Sequence, residues 1–205
     1  MKKMIVCIII IVAIIALGCF ALNKNLEENE IKEQNVVKNE EVSGSAENTN
    51  IKIDSAEDLT TFIDELYKGN EELYPSLMSQ TIDITDSENV SYMTGLENGN
   101  DLEYLVVSEP MMSSQAYSLV IGKVKEGSNA NDIAKKMSEN INMRKWICVS
   151  AEVLYATSTQ DLVFLVMASD KMATPVYNEF KNKVGTIGEE FKRAEVVEEL
   201  PEDMY

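Results

Sequence analysis

The spacing of apolar residues along the chain predicts where a folded domain begins. Ser55 and Asp58 match the two polar positions of a helix capping box, and Gly69 is a natural helix stop. Between them, apolar residues recur every three or four positions: Leu59, Phe62, Ile63, Leu66 and Tyr67. This spacing predicts a helix over 55–68 with one apolar face.

Further along the chain, the pattern predicts strands and helices in a repeating order. Apolar runs and alternating patterns predict strands at 77–84, 102–107, 116–124, 148–156 and Leu162–Ala168. Helices are expected at 87–93 after Asp86, at 129–141, and from Lys171 to about Ala194, with interruptions at Pro175 and Gly185. The order predicts an α+β fold, ββαββα-like, with an antiparallel sheet of about four main strands and helices packed on it.

One strand is apolar at every position, which bears on how the sheet is covered. Leu162–Ala168 reads LVFLVMA, whereas a sheet open to water on one side alternates between apolar and polar residues. We therefore expect the second face to be covered, either by the helix at 55–68 or by another copy of the domain. We favour the helix.

The chain begins with an apolar run that predicts attachment to a membrane. Positions 4–22 hold 19 residues without a charge, or about 28 Å of helix, close to the ~30 Å hydrocarbon core of a bilayer. Lys2 and Lys3 precede the run, so the rest of the chain is expected outside the cell. Segment 1–22 is either a spanning anchor or a lipoprotein signal in which Cys19 is lipidated. The predicted location is the cell membrane, with the bulk of the chain extracytoplasmic.

The remaining segments follow from composition. Segment 23–54 is rich in Asn, Glu and Lys without a sustained apolar face, so we interpret it as a flexible acidic tether. The extracytoplasmic domain is placed at 55–194, and 195–205 is an acidic tail.

Charge and residue types exclude several classes of function. The formal net charge is -17, which argues against binding to nucleic acid or to an anionic lipid surface. The chain contains no histidine, which excludes Ser-His-Asp and Cys-His catalysis and HExxH zinc sites. Cys148 is the one cysteine beyond the anchor, so no disulfide forms within the domain, and we expect it to be a buried small apolar residue. No cofactor and no metal site are predicted.

Two short stretches are candidate binding sites. The loop after the strand at 102–107 contains a proline, two methionines and two serines, which suit an adaptable apolar contact. Its candidate residues are Glu109, Met111, Met112, Ser113 and Ser114. Arg144, Lys145 and Trp146 form a candidate basic and aromatic patch behind a predicted helix. The alternative is structural in both cases: methionines that plug the end of the sheet, and cations that complement the helix dipole.

These stretches also carry a resemblance. Residues 108–119 (SEPMMSSQAYSL) and 143–149 (MRKWICV), together with the anchor and tether, resemble an uncharacterised family of short membrane-tethered or lipoprotein chains of clostridial Firmicutes. The resemblance covers about 101–191 and implies a Gram-positive setting. The C-terminal domain of that family has no assigned function, so no site residue is carried over.

Together these observations predict a non-enzymatic, membrane-anchored binding or interaction module outside the cell. Its expected partner is an envelope protein or a small ligand, besides the membrane itself. Two alternatives stay open. One is a cell-envelope hydrolase that uses two carboxylates facing each other across a cleft. The other is a structural module that forms a homodimer.

Overall fold

Six antiparallel strands form one sheet in the part of the chain that the structure describes. The computed structural model describes residues 51–112 and 114–194. The strands are β1 (Leu77–Thr81), β2 (Leu102–Pro110), β3 (Tyr117–Val124), β4 (Val153–Ser158), β5 (Leu162–Ala168) and β6 (Phe191–Ala194). The helices are α1 (Ala56–Tyr67), α2 (Ser87–Thr94), α3 (Ala130–Asn140) and α4 (Asp170–Val184), with a short 3-10 turn at Glu71–Leu73. The strand order across the sheet is β1-β2-β3-β5-β4-β6.

Local hydrogen bonds set the ends of the first three helices. Ser55 Oγ accepts a hydrogen bond from the Asp58 amide at 3.1 Å, and Asp58 Oδ2 accepts one from the Ser55 hydroxyl at 3.0 Å. The side chains of Asp86 and Asn129 cap α2 and α3 in the same manner. Gly95 ends α2 with a φ of 77°, a conformation that suits glycine. The three helices predicted before residue 142 are confirmed.

Two hairpins form the centre of the sheet. β2 pairs with β3, β4 pairs with β5, and the hairpins join where β3 pairs with β5. This arrangement confirms the α+β class and the antiparallel ββαββα core of four strands. Two outer strands flank this core: β1 confirms the strand predicted at 77–84, although it ends at Thr81, and β6 was not predicted.

Helices cover both faces of the sheet. One core lies under α2 and α3, and the other lies under α1 and α4. Leu165 and Val166 are neighbours in β5 and point into different cores. Burying such a side chain contributes roughly 1.5–3 kcal/mol, so both faces stabilise the fold. The prediction that the helix at 55–68 covers the second face is confirmed, and α4 shares this role.

Two predicted boundaries in the second half of the chain are wrong. The strand predicted at 148–156 begins at Val153, because its partner β5 ends at Ala168, opposite Val153. The helix predicted to reach about Ala194 continues through Pro175 but ends at Val184, where Gly185 follows with a φ of 72°. The chain then extends and adds β6 to the free edge of β4.

Several predictions concern residues outside the described ranges. They are the anchor at 1–22 with Cys19, most of the tether at 23–54, the tail at 195–205, and Ser113. Among the described residues, no helix combines the length and the apolar character needed to cross a bilayer. The predicted anchor, tether and tail stay predictions.

Candidate functional site

A buried ion pair joins the two stretches that the sequence analysis selects. Nζ of Lys145 lies 2.6 Å from Oε1 of Glu109, and the Lys145 side chain is only 1% exposed. The Glu109 side chain is 18% exposed, so both charges of the pair are largely removed from water. The candidate binding loop and the candidate basic patch therefore meet at one place in the fold.

The register of the sheet places a serine beside this pair. Ser108 of β2 pairs with Leu119 of β3, so the adjoining residues Glu109 and Ser118 lie side by side on one face. Nζ of Lys145 donates a hydrogen bond to Ser118 Oγ at 3.2 Å. Lys145 thus contacts both β2 and β3 at the end of their paired segment.

The loop between α3 and β4 delivers Lys145 to this position. Met143 and Ala151 are buried at the two ends of the loop, and the Ala151 amide donates to the Met143 carbonyl at 2.9 Å. Residues 144–150 are held between these fixed ends. Lys145 turns inward, whereas Arg144 is exposed and Trp146 packs against the core under α2 and α3.

Burial and charge act in opposite directions on Lys145. Burial lowers the pKa of its ammonium group below the usual value, and the charge of Glu109 partly restores it. The rings of Tyr92 and Trp146 lie 5.2 Å and 5.5 Å from Nζ, within cation-π range. The ammonium therefore has an anion, a hydroxyl and two aromatic faces around it.

Lys145 and Ser118 are hydrogen-bonded as in a Ser-Lys dyad, but their side chains are not accessible from the surface. Ser118 is completely buried, and so is the rest of β3 around it. A nucleophilic hydroxyl must reach the substrate atom that it attacks. The pair therefore positions the loop rather than presenting a nucleophile.

The large apolar side chains that face solvent gather around this ion pair. In the described residues they are Met78, Tyr92, Met111, Met112 and Ile147. Met111 and Met112 are each 73% exposed and Ile147 is 75% exposed. We call these five residues the methionine patch. Exposed apolar groups that cluster, rather than occurring singly, are typical of interaction surfaces.

Each member of the methionine patch lies next to the pair by register, by contact or in sequence. Met78 of β1 lies opposite Glu109 of β2. The Tyr92 hydroxyl donates to the Lys145 carbonyl at 3.2 Å. The other three members follow Glu109 or Lys145 by two or three positions. Ser114, from the candidate loop, is also exposed.

The surface beside the patch has shallow depressions. One of about 560 Å³ is lined by Glu88, Tyr92, Asn142 and Lys145, among others. A second, of about 380 Å³, is lined by the loop around Arg144 and Trp146. These broad hollows suit a chain segment better than an enclosed small molecule.

Carboxylates do not form a sheltered pair in the described part of the chain. Glu97 and Asp101 share a depression of about 270 Å³, but both are exposed, and Asp101 accepts a hydrogen bond from the Ser128 hydroxyl at 2.9 Å. No group of three or more Cys, Asp or Glu residues suited to a metal ion occurs among the described residues.

The structure corrects one side-chain prediction and adds residues that the sequence did not suggest. Cys148 is exposed, with a φ of 64°, instead of buried in a strand, because the loop has no neighbouring strand to pair with. Arg193 of β6 binds the C-terminus of α3 through the carbonyls of Ser138 and Ile141, at 2.6 Å and 3.2 Å. Met78 and Tyr92 were also missed, because no local sequence signal links them to Lys145.

No protein-family model, no curated protein and no solved structure matches this chain.

Proposed function

We propose that this protein is a membrane-anchored binding module that holds a partner at the outer side of a Gram-positive cell membrane. The observation that carries the proposal is that each of the five exposed large apolar residues of the described part lies next to the Glu109–Lys145 pair by register, by contact or in sequence. The apolar run at 4–22, with Lys2 and Lys3 before it, supports export and attachment.

The site combines a loop that is held in place with side chains that can adapt to a partner. The ion pair holds the 144–150 loop against the sheet, so the position of the patch is set before a partner arrives. Methionine side chains are flexible and polarizable, and they fit partner surfaces of varied shape. A preset position lowers the ordering cost of binding.

Features of the described residues favour binding over catalysis. Ser118 is buried beside Lys145, and the carboxylates of Glu97 and Asp101 are open to water. A homodimer through the apolar sheet face is not favoured either, since α1 and α4 cover that face.

Photo-crosslinking from the patch in living cells tests the proposal. A benzophenone amino acid replaces Met112 in the full chain, and the control carries it at Lys135, which is exposed on α3. We expect a discrete adduct from position 112, absent from position 135, that the substitution Met78→Lys removes. The same products from both positions, or an adduct that Met78→Lys leaves unchanged, would contradict the proposal.

A further inference from the structure

The outer edge of β1 has unpaired backbone groups. β1 lies at the end of the strand order and pairs only with β2 among the described strands. The Ile82 amide donates to the Leu105 carbonyl of β2 at 2.9 Å. Because the direction of backbone groups alternates along an antiparallel strand, Ser79 and Thr81 direct their amides and carbonyls away from the sheet.

This edge lacks the residues with which proteins usually protect an outer strand. β1 reads LMSQT and contains neither a charge nor a proline. The opposite edge strand, β6, reads FKRA and presents Lys192 to solvent. An unprotected edge is a template for a further strand.

The stretch of sequence that contains this edge strand has only acidic charged residues. From Gly69 to Gly122 the sequence contains nine Asp and Glu residues and no Lys or Arg. This stretch includes β1, α2, β2 and most of β3. Of the nine carboxylates, Glu109 is paired with the buried ammonium of Lys145. The remaining field favours a cationic partner and disfavours a second copy of this chain.

We propose that β1 takes up an extended, basic segment of a partner protein as an additional antiparallel or parallel strand. The inference builds on the proposed function, because Met78 belongs to both β1 and the methionine patch. Backbone hydrogen bonds to Ser79 and Thr81 provide the attachment. Apolar residues at alternate positions of the segment contact Met78, and its Lys or Arg residues meet the surrounding carboxylates.

Synthetic peptides and the full chain in non-ionic detergent micelles test this proposal. The probe is an octapeptide of alternating Lys and Val, and its control has the same sequence with every backbone amide N-methylated. Both peptides carry the same charge, but the control lacks all of its backbone donors in either register or strand direction. A third peptide, of alternating Glu and Val, tests the sign of the charge.

We expect the Lys-Val peptide to bind and to slow hydrogen exchange at the amides of Ser79 and Thr81. The N-methylated peptide is expected to bind at least about tenfold more weakly, since several hydrogen bonds of about 1 kcal/mol each are lost. The Glu-Val peptide is expected not to bind. Equal affinity for the first two peptides, binding of the Glu-Val peptide, or unchanged exchange at these amides would overturn the proposal.

Two variants of one residue separate edge pairing from general attraction. Ser79→Pro removes an amide that points away from the sheet, and it is expected to lower the affinity for the Lys-Val peptide at least about tenfold. Ser79→Ala keeps this amide and is expected to keep the affinity. The comparison of the two peptides on the unmodified chain remains decisive if Ser79→Pro does not fold. Self-association of the chain through β1, seen as protection of the same amides without peptide, would also overturn the proposal.

Failure of this inference is distinguishable from failure of the proposed function. If the crosslink at position 112 forms in cells but the Lys-Val peptide does not protect the β1 amides, the proposed binding function stands and strand addition is rejected. If neither result is obtained, both proposals are rejected.

Discussion

Nζ of Lys145 and Oε1 of Glu109 lie 2.6 Å apart, although 36 positions separate the two residues in the chain. The contact ties the loop between α3 and β4 to the end of β2. A buried pair adds little net stability relative to apolar residues, but removing one partner leaves an uncompensated charge. The pair therefore acts mainly to fix where the methionine patch lies.

A double-mutant cycle at this pair tests its role in the fold. Glu109→Gln leaves the buried ammonium without its anion, and we expect the free energy of unfolding to fall by about 3–5 kcal/mol. The double variant Glu109→Gln/Lys145→Met is expected to recover a large part of this loss. Urea denaturation at pH 7 measures both.

The exposed pair of Glu65 and Lys68 on the end of α1 provides the control. Glu65→Gln is expected to change the free energy of unfolding by less than about 1 kcal/mol, because solvent screens this pair. Similar losses for Glu109→Gln and Glu65→Gln would show that the buried pair has no special role.

Gly95 is predicted to be intolerant of a side chain. Its φ is 77°, and a Cβ atom there would lie 2.4 Å from the Ile141 nitrogen. Gly127 has a φ of 87°, and a Cβ atom added there would have no neighbour within 4 Å. Gly127→Ala therefore measures only the cost of a positive φ for a residue with a side chain. We expect that cost to be about 1–2 kcal/mol, and Gly95→Ala to cost more because α2 and α3 must separate. Equal thermal unfolding midpoints for the two variants would refute the close contact.

Arg193 is predicted to stabilise the end of α3. Arg193→Met removes a charged donor from the carbonyls of Ser138, Glu139 and Ile141. We expect a loss of about 2–3 kcal/mol in the free energy of unfolding. Lys192→Met, at the neighbouring exposed position, is the control and is expected to cost less than about 1 kcal/mol. Chemical denaturation compares them, and equal losses would count against the capping role.

Tyr74 makes stability depend on pH in the alkaline range. Burial raises the pKa of Tyr74 to about 12, from an ordinary value of 10.0. Above pH 10 the unfolded chain loses this proton while the folded chain keeps it, so stability falls as pH rises. Between pH 9 and 11 this group alone accounts for about 1 kcal/mol.

The variant Tyr74→Phe isolates that contribution. It removes the hydrogen bond from the Tyr74 hydroxyl to the Met172 carbonyl, 2.9 Å long, and is therefore expected to be less stable at pH 9. Its further loss of stability from pH 9 to 11 is expected to be smaller than that of the unmodified chain. Identical pH dependence of urea unfolding in the two proteins would mean that Tyr74 does not titrate as described.

Local signals in the sequence predict much of the fold. The capping residues Ser55 and Asp86 indicate two helix starts, and the sequence offers Ser128 or Asn129 for the third, which is Asn129 in the structure. The uninterrupted apolar run of Leu162–Ala168 indicates a strand covered on both faces. These features depend on neighbouring residues and on burial, both of which leave a pattern in the chain.

The remaining features depend on partners distant in the sequence. β6 forms because the free edge of β4 is available, whereas its own residues, FKRA, also suit a helix. The candidate loop and the candidate patch are recognisable separately, but their union through Glu109 and Lys145 requires the register of β2 and the course of the loop. Cys148 is exposed for the same reason, since apolar neighbours alone do not supply a pairing strand.

Hydroxyl-radical footprinting of intact cells and of the purified full chain tests the binding surface most directly. Met78, Met111 and Met112 are exposed in the chain by itself, and Tyr155, beside β6 at the other end of the sheet, serves as the internal reference. The account predicts that oxidation of the three methionines falls several-fold in cells relative to Tyr155. Equal oxidation of these methionines in cells and in the purified chain would contradict it.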